Sequence, residues 1–351
     1  MTKLSGRTAG LNRFDAFSAR DRHVYVLKWK PNPSGGKDWE LKKRGFTLPL
    51  KYTLGFTPTP AGAQRVEEER LEWAYRESPE GDSQRKEVFR RAAEEIILTK
   101  DELFDTPERT IPVERERTGT PFLSRNFVSL PVILVEQYLE SMRIYNVDLT
   151  AARTVAGHET SDELEEDASN LAHVLMEISA ENGGRSEIKQ ALTEFLKSVV
   201  PEFIDFEIEK IPGAKEQLLT FAIREESKCR FYPFSVSDGT IRLMCFFLAV
   251  MYHRKPVSVV CFEEPEVSIH PHLLEPMVSL ITNHPNQPQV IMTSHSKVLA
   301  DLLEPKNVFL VSKEGGRSRV EKADSRNDIE VFCKRYGVGE AWMRGLVGAI
   351  P

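Results

Sequence analysis

Val259–Glu266 reads VVCFEEPE, and the class of fold turns on how this stretch is read. Four apolar residues in succession are the mark of a short strand buried on both faces of a parallel sheet. Two adjacent carboxylates, Glu263 and Glu264, then close the run. Their place is the carboxyl edge of the strand, where open α/β sheets bind ligands. Alternation along a strand aims the two side chains differently. One can therefore hold a metal ion through water while the other faces a reacting group. Taken alone, the stretch is more simply a strand that runs into a charged loop.

Two flanking segments bear on the choice. Upstream, SVSDGTIRLMCFFLAVMY begins at Ser235. Ser-Asp-Gly ahead of an apolar helix makes an N-cap, and the glycine lets backbone come close to a ligand. A helix N-terminus of this kind presents N–H groups and a positive dipole end to a phosphate. By itself it reads equally as a well-capped core helix. Downstream, QVIMTSHSKVLAD (Gln289–Asp301) is a short strand that delivers Thr293, Ser294, His295 and Ser296 at its polar end. A lone histidine there is most often a structural hydrogen-bonder.

Order and spacing tie the three together. A capped Ser-Asp-Gly helix, then strand-Glu-Glu-Pro, then a histidine at a strand end about thirty residues later resembles the ABC-type ATPases. Within them the chain is most similar to the RecF/SMC-like branch and its stand-alone bacterial AAA/ABC ATPases, relatives of the ATPase part of OLD-family nucleases. The resemblance covers residues 230–351. It implies that VSDGT (Val236–Thr240) is the signature motif, with Ser237, Asp238 and Gly239 reaching nucleotide held by a second subunit. It implies that VVCFEE is Walker B, with Glu263 in the magnesium-associated place where the family pattern has Asp, and Glu264 the catalytic base. VSIHP (Val267–Pro271) then corresponds to the D-loop, with Ser268 and His270, and His295 to the switch histidine. GVGEAWMRGLVG (Gly337–Gly348) resembles the usual end of these proteins. ATP and Mg²⁺ are the implied cofactors, and a homodimer formed on ATP the implied state.

One family element is missing. A P-loop, G-x-x-x-x-G-K-[ST], uses backbone amides and a lysine to hold the β- and γ-phosphates. The only Gly-Lys pair, Gly36-Lys37, is followed by Asp38 and preceded at five residues by Pro31. It also falls in an expected hairpin turn. The expectation is a chain that starts just downstream of its P-loop, and genuine loss of the motif is the other possibility.

Further upstream, HVYVLKWK (23–30), FTLPLKYTLGF (46–56) and VEEERLEWAY (66–75) are rich in β-branched and aromatic residues and predict an antiparallel meander. From Ser83 to Val200 the spacing predicts helices, in KEVFRRAAEEIILTKDEL, SLPVILVEQYLESM, ASNLAHVLMEISA and SEIKQALTEFLKSVV. The acidic run Glu159–Asp167 reads as a solvated helix start or loop. Val257–Phe262, Gln289–Met292 and Val308–Val311 read as strands of a parallel sheet, and SKEGGRSRVEKAD after them as an edge hairpin. The expected fold class is α/β, of the ABC ATPase-like P-loop NTPase type. Its expected division is residues 1–80 as an antiparallel β subdomain, 81–230 as a helical insertion, and 231–351 as the C-terminal ATPase lobe.

Composition sets the outer limits. The 351 residues carry 47 Lys+Arg and 53 Asp+Glu, a net charge of −6, which argues against a wholly cationic nucleic-acid-binding surface. With 40% hydrophobic residues the chain can bury a sizeable core. Cys229, Cys245, Cys261 and Cys333 form no CxxC pair, which points to reduced thiols in a cytoplasmic protein rather than disulfides or zinc. No apolar stretch is long enough for a membrane helix. His270-Pro271-His272 offers a metal pair, but its D-loop match favours an interface loop. Arg85, Lys86, Arg90 and Arg91 read as a solvated helix face, with DNA contact the lesser reading. No Asp-x-Asp occurs, and only about fifty residues follow His295, so no nuclease domain is expected. Two functions are carried forward. One is an ATPase whose dimerisation serves a DNA-related task, such as repair or defence against foreign DNA, with DNA or a nuclease effector as partner. The other is a non-hydrolysing scaffold or regulatory module.

Overall fold

The computed structural model describes residues 12–15, 25–31, 37–43, 50–58, 64–75, 84–92, 95–99, 108–113, 130–156, 161–179, 185–211, 218–227, 229–282, 288–314, 317–323 and 327–346. The chain divides into two compact units, Met1–Glu140 and Ser141–Pro351.

The first unit is mostly antiparallel sheet. Strands β1 (Asn12–Asp15), β4 (Leu50–Pro58), β5 (Gln64–Tyr75), β6 (Gln84–Ala92), β7 (Glu95–Leu98) and β8 (Arg109–Pro112) hydrogen-bond in that order. β2 (Tyr25–Pro31) and β3 (Lys37–Lys43) form a separate hairpin, and helix α1 (Leu130–Glu140) closes the unit. Of the expected meander, FTLPLKYTLGF and VEEERLEWAY do pair, as β4 and β5, whereas HVYVLKWK supplies β2 and pairs with β3 in the separate hairpin. Lys37 opens β3 and pairs with Pro31 across the hairpin. The Gly-Lys pair therefore does not join a strand to a helix; Gly36 itself lies outside the described residues.

KEVFRRAAEEIILTKDEL is not helical. Its residues form β6 and β7. The register between β5 and β6 slips at Leu71/Glu72, and this bulge turns Val88 and Phe89 inward together. Ile96 and Leu98 of β7 are also buried. Two paired strands thus reproduce a helix-like recurrence of apolar residues. The basic cluster is split by the same geometry. Arg90 is exposed and pairs with Glu87 at 3.2 Å, whereas Arg91 is buried. The side chains of Arg85 and Lys86 lie outside the described residues.

The second unit is α/β. Three parallel strands, β14 (Gln289–Thr293), β13 (Val259–Glu263) and β9 (Arg143–Tyr145), form its sheet in that order. The third strand is therefore β9, not Val308–Val311. Phe309–Val311 belongs to β15 (Phe309–Glu314), which among the described residues pairs with β16 (Arg317–Lys322) alone and leaves Phe309 and Val311 exposed. The SKEGGRSRVEKAD hairpin is thus present. Strands β10 (Phe203–Lys210), β11 (Leu219–Glu225) and β12 (Arg230–Phe231) make a second antiparallel sheet. Helices α2 (Leu149–Ala152), α3 (Leu171–Ser179) and α4 (Arg185–Val199) precede it.

Helix α5 (Asp238–Met251) is the centre of the core, with every residue from Leu243 to Val250 buried. Phe246 packs on Phe262 of β13 at a centroid separation of 4.6 Å, and Phe247 on Phe195 of α4 at 5.4 Å. A helix apolar all round needs this enclosure. It fixes the start of α5 against the sheet. α6 (Leu274–Thr282) and α7 (Lys297–Asp301) follow β13 and β14, and α8 (Asn327–Tyr336) and α9 (Val338–Met343) close the chain. No helix among the described residues is long and apolar enough to cross a membrane.

Candidate functional site at the carboxyl edge of β13 and β14

β13 and β14 end level, with Glu263 in register with Thr293. Glu263 completes its strand and is exposed. Glu264 leaves the strand with φ at +43°, a left-handed conformation that a non-glycine residue adopts at a cost of about 1–3 kcal/mol. Its N–H is held by the Thr293 carbonyl at 3.1 Å and by Thr293 Oγ1 at 3.3 Å. This turn, rather than simple strand alternation, aims the two carboxylates apart. It carries Glu264 Oε1 to 3.5 Å from His295 Nε2. The His295 side chain is 80% exposed and that of Glu264 43%, so water reaches this pair.

The chain then folds back as a tight loop. Val267 N–H donates to the Glu264 carbonyl at 3.1 Å, and Ile269 N–H to that of Glu266 at 3.0 Å. The Ser294 hydroxyl donates to Glu266 Oε1, which ties the loop to the end of β14. Ile269 is buried, while Ser268, also left-handed with φ at +64°, and His270 are exposed. The His270 and His272 rings lie 4.4 Å apart, their Nδ1 atoms facing each other.

Helix α5 reaches the same loop. Ser237 caps it, its Oγ accepting from Thr240 N–H at 3.1 Å and contacting Thr240 Oγ1 at 2.7 Å. The first N–H groups of a helix have no intrahelical acceptor, and here they open beside the exposed Ser237 and Asp238. Gly239 touches the loop: a Cβ on it would stand 3.0 Å from the Ser268 carbonyl oxygen. Gly239 thus meets Ser268, which lies four residues beyond Glu264.

Three features here were not apparent in the sequence. Thr293 anchors Glu264, and its place as strand neighbour of Glu263 could have suggested this. Ser294 anchors Glu266. Arg153, at the C-cap of α2, binds the segment before α5 from eighty to eighty-three residues away, and no local pattern marks it. The acidic run also has a structural part: Glu163 Oε1 accepts from the N–H groups of Arg254 and Lys255 at 2.7 and 3.1 Å.

The donor set at the strand ends is two carboxylates and a threonine hydroxyl, hard oxygen ligands of the kind that suit Mg²⁺ with water. Elsewhere among the described residues, Asp162, His173 and Glu177 bring ligand atoms within 4.8 Å of one another. Asp162 is already engaged by His173 at 3.3 Å and by the Arg254 guanidinium.

Residues 137–301 match the family described as "AAA domain, putative AbiEii toxin, Type IV TA system". The matched segment holds α5, the Glu263–Glu264 turn, the loop after it and His295. Curated proteins yield no match to the chain. Among solved structures, the SMC head domain from Thermotoga maritima is 11% identical, covering 81% of this chain and 76% of its own, with a TM-score of 0.34. The Smc head domain with an extended coiled coil bound to the C-terminal domain of ScpA, derived from Pyrococcus furiosus, is 11% identical, covering 81% and 80%, with a TM-score of 0.37. The SmcHead bound to the C-winged helix domain of ScpA is 13% identical, covering 80% and 76%, also at 0.37. At these scores the structural likeness carries no argument of its own.

Proposed function

We propose that this protein binds and hydrolyses ATP at composite sites formed when two copies close face to face, and that the cycle drives a DNA-linked or nuclease-linked partner. The observation that carries the reading is the Glu264–His295 pair, 3.5 Å apart at the ends of two parallel strands and open to solvent. A base that activates water beside a phosphate works best where bulk water is excluded. An exposed pair needs a second body to cover it, and a two-fold dimer is the common way to supply one.

In this reading Glu264 accepts the proton of the attacking water, a role worth roughly 10²–10⁴ in rate. His295 donates to the γ-phosphate. Ser237 and Gly239 present the α5 N-terminus to nucleotide held by the other copy, and Asp238 begins that helix. Glu263 holds Mg²⁺ through water; the ion, when bound, neutralises charge on the phosphates. Ser268 and His270 lie at the dimer seam. Residues 231–351 are assigned to the ATPase lobe; because β6–β8 continue the sheet of the first unit, only the part of 81–230 beyond Glu140 is assigned to the insertion.

A second reading, a scaffold that binds partners without hydrolysis, is favoured by one fact. No G-x-x-x-x-G-K-[ST] occurs in the 351 residues. The test is light scattering with and without Mg-ATP, on the protein expressed from its full natural reading frame and its Glu264→Gln variant. A Glu264→Gln dimer that persists under ATP supports the composite site. A variant that stays monomeric at saturating ATP removes it and leaves the scaffold.

A further inference from the structure

Arg153 is the most heavily engaged side chain around the α5 N-terminus. It is 11% exposed, and four of its five N–H donors are used. Nε donates to the Pro233 carbonyl at 2.9 Å, Nη1 to that of Leu149 at 3.3 Å, and Nη2 to the Val236 carbonyl at 2.8 Å and to Asp238 Oδ1 at 2.7 Å. Two carbonyls on either side of the turn Pro233–Ser235, and the first residue of α5, are thus held by one planar group. Helix α2 supplies the base for it. Asp148 caps that helix through the N–H groups of Thr150 and Ala151.

The Asp238 contact adds charge to geometry. A carboxylate on the first turn suits the helix dipole, yet it stands where an anion would meet the free amides of the same turn. Asp238 is 54% exposed, so its charge faces that approach. The guanidinium beside it, at 2.7 Å, offsets the charge.

We propose that Arg153 is a positioning residue for the nucleotide that the partner copy brings, fixing the turn ahead of Ser237 and cancelling the Asp238 charge that would repel a triphosphate. This rests on the composite-site reading above. A purely structural ion pair would tie Arg153 and Asp238 together, so that removing either partner weakens the site. Charge compensation makes the opposite statement about Asp238.

The experiment measures the Mg-ATP concentration at which half the protein is dimeric, by light scattering, with the protein from its full reading frame. Arg153→Met is expected to raise that midpoint by roughly tenfold. Asp238→Asn, with Arg153 in place, is expected to lower it severalfold, and Arg153→Met/Asp238→Asn to return close to wild type. Hydrogen exchange over 233–240 should quicken in Arg153→Met and in Arg153→Lys, because a lysine cannot span the four acceptors. If Arg153→Met does not fold, Asp238→Asn alone still decides: a weaker dimer overturns the proposal. A wild type that stays monomeric at saturating ATP instead brings down the composite-site reading. A wild type that dimerises, with an unchanged Arg153→Met midpoint, overturns the role of Arg153 alone.

Discussion

Gly239 and Ser268 approach so closely that a single added methyl on the glycine would stand 3.0 Å from the serine carbonyl. The start of the central helix and the loop after the Glu263–Glu264 turn are therefore set by each other. Gly239→Ala should push that loop outward and cost about 1–3 kcal/mol of stability, the usual penalty for overpacking. Thermal unfolding reads the cost. Dimerisation under Mg-ATP should weaken more than the melting temperature suggests, because the displaced carbonyl belongs to the proposed seam.

The 351-residue chain should release phosphate from Mg-ATP at least ~100-fold more slowly than the ~10 s⁻¹ of an ordinary enzyme. Phosphoryl transfer is mostly positioning and electrostatics, and a P-loop supplies much of both. Steady-state phosphate release checks this. An ordinary rate that Glu264→Gln abolishes would mean that a phosphate cradle of different sequence exists in these residues.

Alkaline pH should destabilise the second unit in a way that Tyr145→Phe reduces. Burial pushes the Tyr145 phenol up to about 12 from 10.0, opposed in part by Arg143. The native state keeps a proton that the unfolded chain releases between those values. Stability therefore falls as pH rises, by about 1.4 kcal/mol per pH unit for one group. Tyr145→Phe keeps the stack on Phe262, at 5.7 Å, and has no proton to lose. Urea unfolding at pH 9, 10 and 11 should show a shallower decline for the variant above pH 10. Cys245, pushed up to about 12 by burial, contributes the same sign in both proteins. Equal slopes would mean that Tyr145 is not buried in the native state.

Gly337→Ala should cost about 3 kcal/mol or more. Gly337 has φ +91° and ψ 158°, a region essentially confined to glycine. A Cβ there would lie 2.1 Å from Asp301 Oδ1. Asp301 also accepts from the N–H groups of Gly339 and Glu340 at 2.7 and 3.2 Å. Limited proteolysis should then cut before α9 in the variant and not in the wild type.

The legible parts of this chain were those where one local cause decides. Ser237 caps α5 as a serine before an apolar run must, and VVCF is a strand because nothing else buries four such residues on both faces. The illegible parts had causes elsewhere. β9 is only Arg143–Tyr145, too short to show any period, and it is a strand because β13 offers it an edge. β6 and β7 imitated a helix because a bulge at Leu71/Glu72 altered which residues face inward. Val308–Val311 looked like a strand of the parallel sheet by composition, yet among the described residues its strand partner is β16. In the site, Glu264 and His295 could be named from their neighbours, but their 3.5 Å separation depends on the left-handed turn at Glu264. Arg153 stayed hidden because its acceptors ahead of α5 are eighty and eighty-three residues away.

Helix α7 begins two residues after His295 and is capped by Ser296, which accepts from Leu299 N–H at 3.2 Å. Its outer side is occupied by the tail: Lys297 pairs with Glu340 at 3.3 Å, and a Cβ on Gly339 would lie 2.3 Å from the Lys297 carbonyl. Five positions, 297, 301, 337, 339 and 340, therefore form one inheritance unit. In natural variants of this protein they should change jointly or not at all. A chimera that grafts the last fifteen residues from a distant homologue should fold only if α7 is transplanted with them.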